Sequence, residues 1–143
     1  MYDCLKLENQ LCFPLYLCSK EIIKQYTPYL EKLDLTYTQY IVMLYLWNHD
    51  KSNVKEIGKA LMLDSSTLTP LLKKLEIKKY IIRKRSDVDE RVVNICLTDL
   101  GFNLKEKALG VPKKMGECIS LSKEEVTTLY TLAYKILNNI EKE

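Results

Sequence analysis

Two short amphipathic segments separated by a tight turn are the feature that most restricts the fold of this 143-residue chain. Apolar residues recur at helical spacing over residues 54–61 and again over residues 68–75. Met62 and Leu63 form the turn, and Asp64 begins a cluster of residues that favour helix N-caps. The second segment carries polar and basic side chains on its other face, namely Ser65, Ser66, Thr69, Lys73 and Lys74. This arrangement is typical of a helix-turn-helix.

A β-hairpin is predicted after the second segment. Strand-like runs at residues 80–86 and 91–97 flank a polar turn at residues 87–90. Alternation in the second run places Ile95 on the face that we expect to meet the core.

Capping boxes predict where other helices begin. Thr36 and Gln39 start a helix whose residues 40–47 are apolar nearly all round, which indicates burial in the core. Residues 48–53 form a polar break. Further caps precede predicted helices at Asn53, Thr98 and Ser122. Because the chain has only four glycines and four prolines, the predicted fold class is mainly α with a small β-hairpin wing, a winged helix-turn-helix.

Composition and cysteine spacing exclude several classes of protein. A hydrophobic fraction of 47% and a charged fraction of 29% are those of a folded globular chain. The longest apolar run, residues 40–47, is far shorter than the about 18 residues that span a membrane, and no signal peptide is evident. Five cysteines without CxxC spacing and the single histidine, His49, support neither a zinc site nor a disulfide framework. We therefore expect a cytoplasmic protein with no membrane partner, metal or cofactor.

Positive charge is concentrated on the second helix and the hairpin. Between Leu71 and Arg91, eight basic and four acidic residues give a net charge of +4. The whole chain carries +3, so the remainder carries −1. Basic residues on a helix often only keep it hydrated, but here they coincide with a helix-turn-helix pattern. The coincidence is typical of a surface that binds double-stranded DNA.

The predicted DNA contacts lie on the second helix and the wing. The helix, beginning near Ser65, would enter the major groove, and Pro70 is acceptable within it if the helix begins late. Arg91 would enter the minor groove, oriented by Asp87 or Asp89. The predicted set is Ser65, Ser66, Thr67, Thr69, Lys73, Lys74, Arg83, Arg85, Asp89 and Arg91.

Four stretches of the sequence resemble the MarR family of winged helix-turn-helix regulators. They are residues 7–13 (LENQLCF), 35–40 (LTYTQY), 63–75 (LDSSTLTPLLKKL) and 83–91 (RKRSDVDER). The first stretch is similar to the OhrR branch of thiol-based peroxide sensors.

The resemblance implies a single MarR-like domain over residues 1–143 that forms an intertwined, obligate homodimer. Residues from about 1–35 and 99–143 would make the helical dimerisation region, and residues 36–98 the winged DNA-binding region. Such a dimer would bind a palindromic operator as a repressor and release it in response to organic hydroperoxides.

The same resemblance assigns a sensing site. Cys12 matches the sensing thiol, and Tyr26 and Tyr37 match tyrosines that donate hydrogen bonds to its sulfur across the dimer interface. Tyr16 matches a tyrosine close by, and its spacing places it on the helix face of Cys12. Phenolic hydroxyls can stabilise the reactive thiolate without adding charge, and peroxide converts the thiolate to a sulfenic acid. Pro14 departs from the family pattern and predicts a kink or a late start of the first helix.

A second cysteine, Cys118, is a candidate to resolve oxidised Cys12. In this branch the sulfenic acid forms a disulfide either with a small thiol or with a cysteine of the partner subunit near the start of the last helical region. Cys118 lies in a comparable place, ahead of Ser122. The alternative is a free cysteine in a mobile connector. Cys4, Cys18 and Cys96 are expected to be incidental.

Two other functions fit parts of the sequence. The first is a MarR regulator released by an aromatic small molecule, with Cys12 only packing. The second is a thiol peroxidase, which is disfavoured because it leaves the basic segment without a role and because no thioredoxin-like βαβ pattern is present. A DNA-binding regulator, not an enzyme, is therefore the prediction.

Overall fold

The computed structural model describes residues 2–141. The chain divides into two compact units, one ending at Val111 and the other beginning at Pro112. After two short 3-10 turns, the helices are α1 (Cys12–Glu31), α2 (Tyr37–Asn48), α3 (Val54–Leu61), α4 (Ser65–Ile77), α5 (Asp99–Ala108), α6 (Val111–Ile119) and α7 (Lys123–Glu141). The strands are β1 (Lys51–Asn53), β2 (Ile81–Arg85) and β3 (Val93–Leu97). The mainly helical, winged helix-turn-helix prediction is confirmed.

Helix α2 is the centre of the first unit. Its predicted capping box is confirmed, because Thr36 Oγ1 accepts from the Gln39 amide at 3.3 Å and Gln39 Oε1 accepts from the Thr36 amide at 3.0 Å. Val42, Met43 and Leu46 are fully buried, as the apolar run indicated. The helix contacts α1, α3, α4, α5 and β3.

The helix-turn-helix consists of α3 and α4, which pack on each other. Met62 ends α3 in the left-handed conformation (φ 55°), and this reverses the chain. The leucines of α4 are buried on one face, namely Leu68, Leu71, Leu72 and Leu75. Pro70 was expected to be acceptable if the helix began late, but α4 begins at Ser65. Pro70 therefore lies inside the helix and offers no N–H to the carbonyl one turn earlier.

The wing is a three-stranded antiparallel sheet in the order β1-β3-β2. The predicted hairpin is confirmed by the pairing of β2 with β3, and Ile95 is fully buried. The prediction of a polar break at residues 48–53 is wrong for its second half, because Lys51–Asn53 pairs with β3 as β1. Ser52 lies opposite Ile95 and is itself buried. Three polar residues have no strand pattern of their own, so only the pairing reveals this strand.

Helix α1 begins at Cys12 and continues to Glu31, so the prediction of a late start is wrong. Pro14 lies in the first turn, where a helix tolerates proline because the amides there lack an intrahelical acceptor. Most of the helix is exposed in the single chain, and Leu30 is its buried residue. The end of α1 contacts α2.

The second unit contains α7 and nearly all of α6. The helix that begins at Asp99 ends at Ala108, and α6 begins at Val111, so Gly110 lies between the two helices. Ser122 and Glu125 form the predicted capping box of α7. Cys118 lies on α6, so its placement in a connector is wrong. No residue of α7 within the described chain is buried, and its apolar residues Leu129, Leu132 and Ile136 are each at least two-fifths exposed. Within residues 2–141, no helix has both the length and the apolar character needed to cross a membrane.

Candidate functional site

The first turn of α4 presents a row of small polar side chains. Ser65, Ser66 and Thr67 are exposed, while Thr69 is half-buried. Asp64 caps the turn by accepting from Ser66 Oγ at 2.6 Å and from the Thr67 amide at 2.9 Å. The Ser66 hydroxyl, followed by the Thr67 amide, holds the pKa of the Asp64 carboxyl below its usual value. The cap therefore fixes the end of α4 that was predicted to meet base edges.

An open groove of about 500 Å³ lies between α4 and the wing. It brings together five of the residues predicted to contact DNA, although they are distant in sequence. The groove is lined by Thr69, Lys73, Arg83, Arg85 and Arg91, together with residues 53–55. Four of the eight basic residues between Leu71 and Arg91 therefore line one concave surface.

The wing tip presents Arg91 in a fixed orientation. Its Nε and Nη2 donate to the two oxygens of Asp89 at 3.1 and 3.2 Å, and its amide also donates to Asp89. Of the two acids considered for this role, the structure pairs Arg91 with Asp89 and not with Asp87. The Arg91 guanidinium lowers the pKa of the Asp89 carboxyl, so the pair is ionised at neutral pH. The Arg91 side chain is 91% exposed and free to meet a partner.

Arg83 differs from Arg91 because its side chain is largely covered and contacts a residue of another element. Its Nε lies 3.4 Å from Glu76 Oε1, and its amide donates to Glu76 Oε2 at 3.1 Å. Its side chain is only 24% exposed. Arg83 therefore ties β2 to the end of α4. Sequence reasoning missed Glu76 as its partner, since the two residues belong to different elements.

Cys12 is the first residue of α1, and its thiol is free and exposed. Few backbone donors are available to it, because the Phe13 amide donates to the Gln10 carbonyl at 3.3 Å and Pro14 has no N–H. Tyr16, one turn further on, is 60% exposed. The two residues that follow Cys12 therefore offer its thiolate no free backbone donor.

Three tyrosines cluster where α1 meets α2. The ring centres of Tyr26 and Tyr37 are 4.9 Å apart, and Tyr40 lies 5.7 and 6.5 Å from them. Burial raises the pKa of Tyr26 and raises that of Tyr40 to about 12. Both hydroxyls therefore keep their protons at neutral pH. Tyr40 was assigned to the core from its place in the apolar run, and its membership of the cluster was missed.

The cluster and Cys12 do not meet within one chain. Tyr26 follows Cys12 by fourteen residues on the same helix, which is about 21 Å at 1.5 Å per residue. Tyr16 is about 15 Å from Tyr26 by the same rise. The structure thus brings Tyr26 and Tyr37 together and leaves Cys12 and Tyr16 apart from them. Cys118 is a free, exposed cysteine in the second unit.

A capped helix in a helix-turn-helix, flanked by a basic groove and a wing, defines a winged-helix DNA-binding regulator. A family model described as the transcriptional regulator SarA/Rot matches residues 24–108, and the chain belongs to this family. The resemblance to MarR-like regulators of the OhrR type is confirmed by the relatives.

Two curated relatives cover almost the whole chain. The organic hydroperoxide resistance transcriptional regulator of Bacillus subtilis is 48% identical over 99% of this chain and 97% of its own length. The regulator SarZ of Staphylococcus haemolyticus is 46% identical over 94% of this chain and 92% of its own length.

AbfR of Staphylococcus epidermidis is similar in structure. The match to its overoxidized form bound to DNA covers 96% of this chain and 97% of the AbfR chain, with 33% sequence identity and a TM-score of 0.79. Its disulfide form covers 99% of this chain and 96% of its own, with 33% identity and a TM-score of 0.65. The relatives are transcriptional regulators, which confirms a DNA-binding regulator and not a thiol peroxidase.

Proposed function

We propose that this chain is a homodimeric repressor that binds a palindromic operator and releases it when an organic hydroperoxide oxidises Cys12. In this proposal residues 1–35 and 99–143 form the dimer and residues 36–98 the winged domain. Leu11 and Leu15 on or next to α1 and Leu129 on α7 are exposed in the single chain. Apolar rows of this kind are typical of surfaces that a partner covers. A reduced thiol and a DNA target suit the cytoplasm.

The observation that carries the proposal is the separation of Cys12 from the tyrosine cluster. The thiol has few backbone donors, and Tyr26, about 21 Å along the same helix, belongs to a cluster that holds protonated hydroxyls. A second copy that crosses α1 in the opposite direction would bring the hydroxyls of Tyr26 and Tyr37 to the thiol. Each sensing site would then be built from two chains.

The proposed chemistry begins with a two-electron oxidation of the thiolate. Cys12 Sγ attacks one peroxide oxygen, the O–O bond breaks, and the alkoxide leaves and takes a proton to become an alcohol. The sulfur is left as a sulfenic acid. A thiol, either of Cys118 or of a small molecule, then attacks that sulfur, and water leaves as the disulfide forms.

The AbfR structures favour the disulfide as the state that changes the regulator. AbfR has been observed on DNA both reduced and overoxidized. This chain matches the DNA-bound overoxidized form at a TM-score of 0.79 and the disulfide form at 0.65. We therefore infer that a disulfide at Cys12 is what drives release.

A mobility-shift experiment tests the proposal. The wild-type protein and Cys12→Ser are titrated onto a palindromic duplex from the region upstream of the gene, with and without cumene hydroperoxide. We expect peroxide to weaken binding by the wild type by about 5- to 150-fold, the usual range of coupling between two sites. Cys12→Ser should keep its affinity. If peroxide does not change the affinity of either protein for the duplex, the thiol mechanism is wrong and release by a small molecule is favoured.

The role of Cys118 is tested on a non-reducing gel. After peroxide treatment we expect a band of twice the monomer mass that disappears on reduction, because the disulfide joins Cys12 to Cys118 of the partner. The band should be absent in Cys118→Ser. It should be present in the control variant Cys18→Ser, because Cys18 is an exposed cysteine on the same helix as Cys12 but is not expected to form the disulfide. A dimer band that survives Cys118→Ser would contradict this role, and a mass increase matching one small thiol would identify the alternative.

Two of the groove arginines, Arg83 and Arg91, should respond differently to removal. Arg91→Ala is expected to weaken operator binding by about 1–3 kcal/mol while leaving the melting temperature unchanged, because the side chain is exposed. Arg83→Ala removes the contact with Glu76 and should lower the melting temperature as well. Fluorescence anisotropy and thermal unfolding measure the two effects. Equal losses of affinity without any loss of stability would show that Arg83 contacts DNA directly.

A further inference from the structure

The end of the recognition helix α4 is bonded to the segment that joins α1 to α2. Lys78, which follows the last residue of α4, donates from Nζ to the Asp34 carbonyl oxygen at 2.6 Å and to Gln39 Oε1 at 3.0 Å. The same Nζ is 3.5 Å from the Asp34 carboxylate. Gln39 is 3% exposed and the Lys78 side chain 24%. The bond to Gln39 is therefore partly enclosed, where directional bonds are stronger, whereas the Asp34 side chain is 74% exposed.

Tyr80 adds a second connection between the same two segments. Its hydroxyl donates to the Leu33 carbonyl oxygen at 2.9 Å, and its own carbonyl accepts from the Thr98 amide at 3.1 Å. Thr98 directly follows β3. The turn between α4 and β2 is thus fixed to the α1–α2 segment on one side and to the wing sheet on the other.

These contacts reach the first turn of α2, which also carries the tyrosine cluster. Gln39 Oε1 accepts from both Lys78 Nζ and the Thr36 amide, so the atom that completes the α2 capping box also holds α4. Tyr37 and Tyr40 lie on either side of Gln39 in the same turn. A shift of this turn would alter the bonds to Lys78 without any contact between the tyrosines and α4.

We propose that Lys78 and Tyr80 are positioning residues that transmit the state of the tyrosine cluster to the recognition helix and the wing. The inference rests on the proposed function, because it takes the cluster to respond to Cys12. The bonds join the segment that follows α4 to the segment between α1 and α2 and to the first turn of α2. They therefore favour one arrangement of α4 relative to α2. Coupling between distant sites requires such an element with distinct arrangements. When the cluster rearranges, the bonds that hold α4 in its DNA-competent position are lost.

The first readout compares operator affinity before and after peroxide treatment. Lys78→Met and Tyr80→Phe keep most of each side chain and remove its donors. We expect both variants to bind the operator more weakly than the wild type when reduced, because the bonds that hold α4 are already missing. On oxidation they should lose less than about fivefold further affinity, below the usual range of coupling. Lys78→Arg keeps a donor and should restore the response. Lys79→Met removes the same charge one residue further on, at an exposed position, and serves as the matched control.

The second readout uses hydrogen exchange of the reduced protein with and without the operator duplex. Because coupling is reciprocal, operator binding should slow exchange of the amides in residues 36–40 of the wild type and of Lys79→Met. It should leave them unchanged in Lys78→Met at DNA saturation. The proposal is overturned if operator binding does not slow exchange in residues 36–40 of the wild type, or if it slows exchange there equally in Lys78→Met. If peroxide fails to release the wild type, the proposed sensing function is wrong, and hydrogen exchange alone still decides the role of Lys78.

Discussion

Replacing Gly101 with alanine is expected to lower the free energy of unfolding by about 3 kcal/mol, the upper part of the range for overpacked cores. A Cβ at this position would lie 2.0 Å from the carbonyl oxygen of Tyr80. That atom is backbone and accepts from the Thr98 amide, so it cannot move aside without breaking the junction of β3 and α5. The Gly101 carbonyl also accepts from Trp47 Nε1 at 2.9 Å, which joins α5 to the core helix α2. Displacing α5 therefore disturbs two buried contacts together.

Thermal unfolding measures this effect, and Gly116→Ala is the matched control. Gly116 is also helical, but an added Cβ there would meet no atom of the described chain within 4 Å. We expect the control to be neutral or to gain about 0.5–1 kcal/mol from the better helix propensity of alanine. For Gly101→Ala the melting temperature should fall by on the order of 10 °C. Equal melting temperatures for the two variants would show that α5 can shift at little cost.

Removing the hydroxyls of Tyr26 and Tyr37 together is expected to slow oxidation of Cys12 by about 10- to 100-fold. Each hydrogen bond to a charged group contributes about 1.5–3 kcal/mol, so two bonds strongly favour the thiolate. Losing the bonds lowers the fraction of Cys12 that is thiolate. About half of the resulting effect on the rate is offset, because a less stabilised thiolate is intrinsically more nucleophilic. Tyr→Phe keeps the rings and their contacts, so the cluster itself should persist. Stopped-flow measurement of thiol loss with cumene hydroperoxide gives the rate.

The control for this experiment is Tyr29→Phe, a half-buried tyrosine on α1 outside the cluster. It should react at the wild-type rate. The double variant should still bind the operator when reduced, since neither hydroxyl lies on α4 or the wing. A wild-type oxidation rate in the double variant would show that the tyrosines pack the interface and do not stabilise the sulfur.

The local part of the fold follows directly from the sequence. The capping boxes at Thr36, Asn53 and Ser122 form as predicted, because each involves residues three positions apart in the chain. The leucines of α4 are buried because helical spacing alone places them on one face. The same is true of the hairpin, whose turn and strands are adjacent in sequence.

Contacts between distant residues required the tertiary structure. Strand β1 is three polar residues and exists because β3 pairs with it, and the partner of Arg83 is Glu76 on another element. Tyr40 joins Tyr26 and Tyr37 only because α1 packs against α2. The bonds of Lys78 to Asp34 and Gln39, about forty positions earlier in the chain, have no local pattern.

The sequence by itself therefore determined where the capped helices begin, which face of α4 is polar and where the positive charge lies, because these properties depend on neighbours within one or two turns. Folding decided which of those charges remain free and how the tyrosines connect to α4, because both depend on which surfaces come together. Arg91 stays exposed and Arg83 does not, although both are arginines of one basic stretch. That difference arises from packing of β2 against α4, a contact that no local pattern specifies.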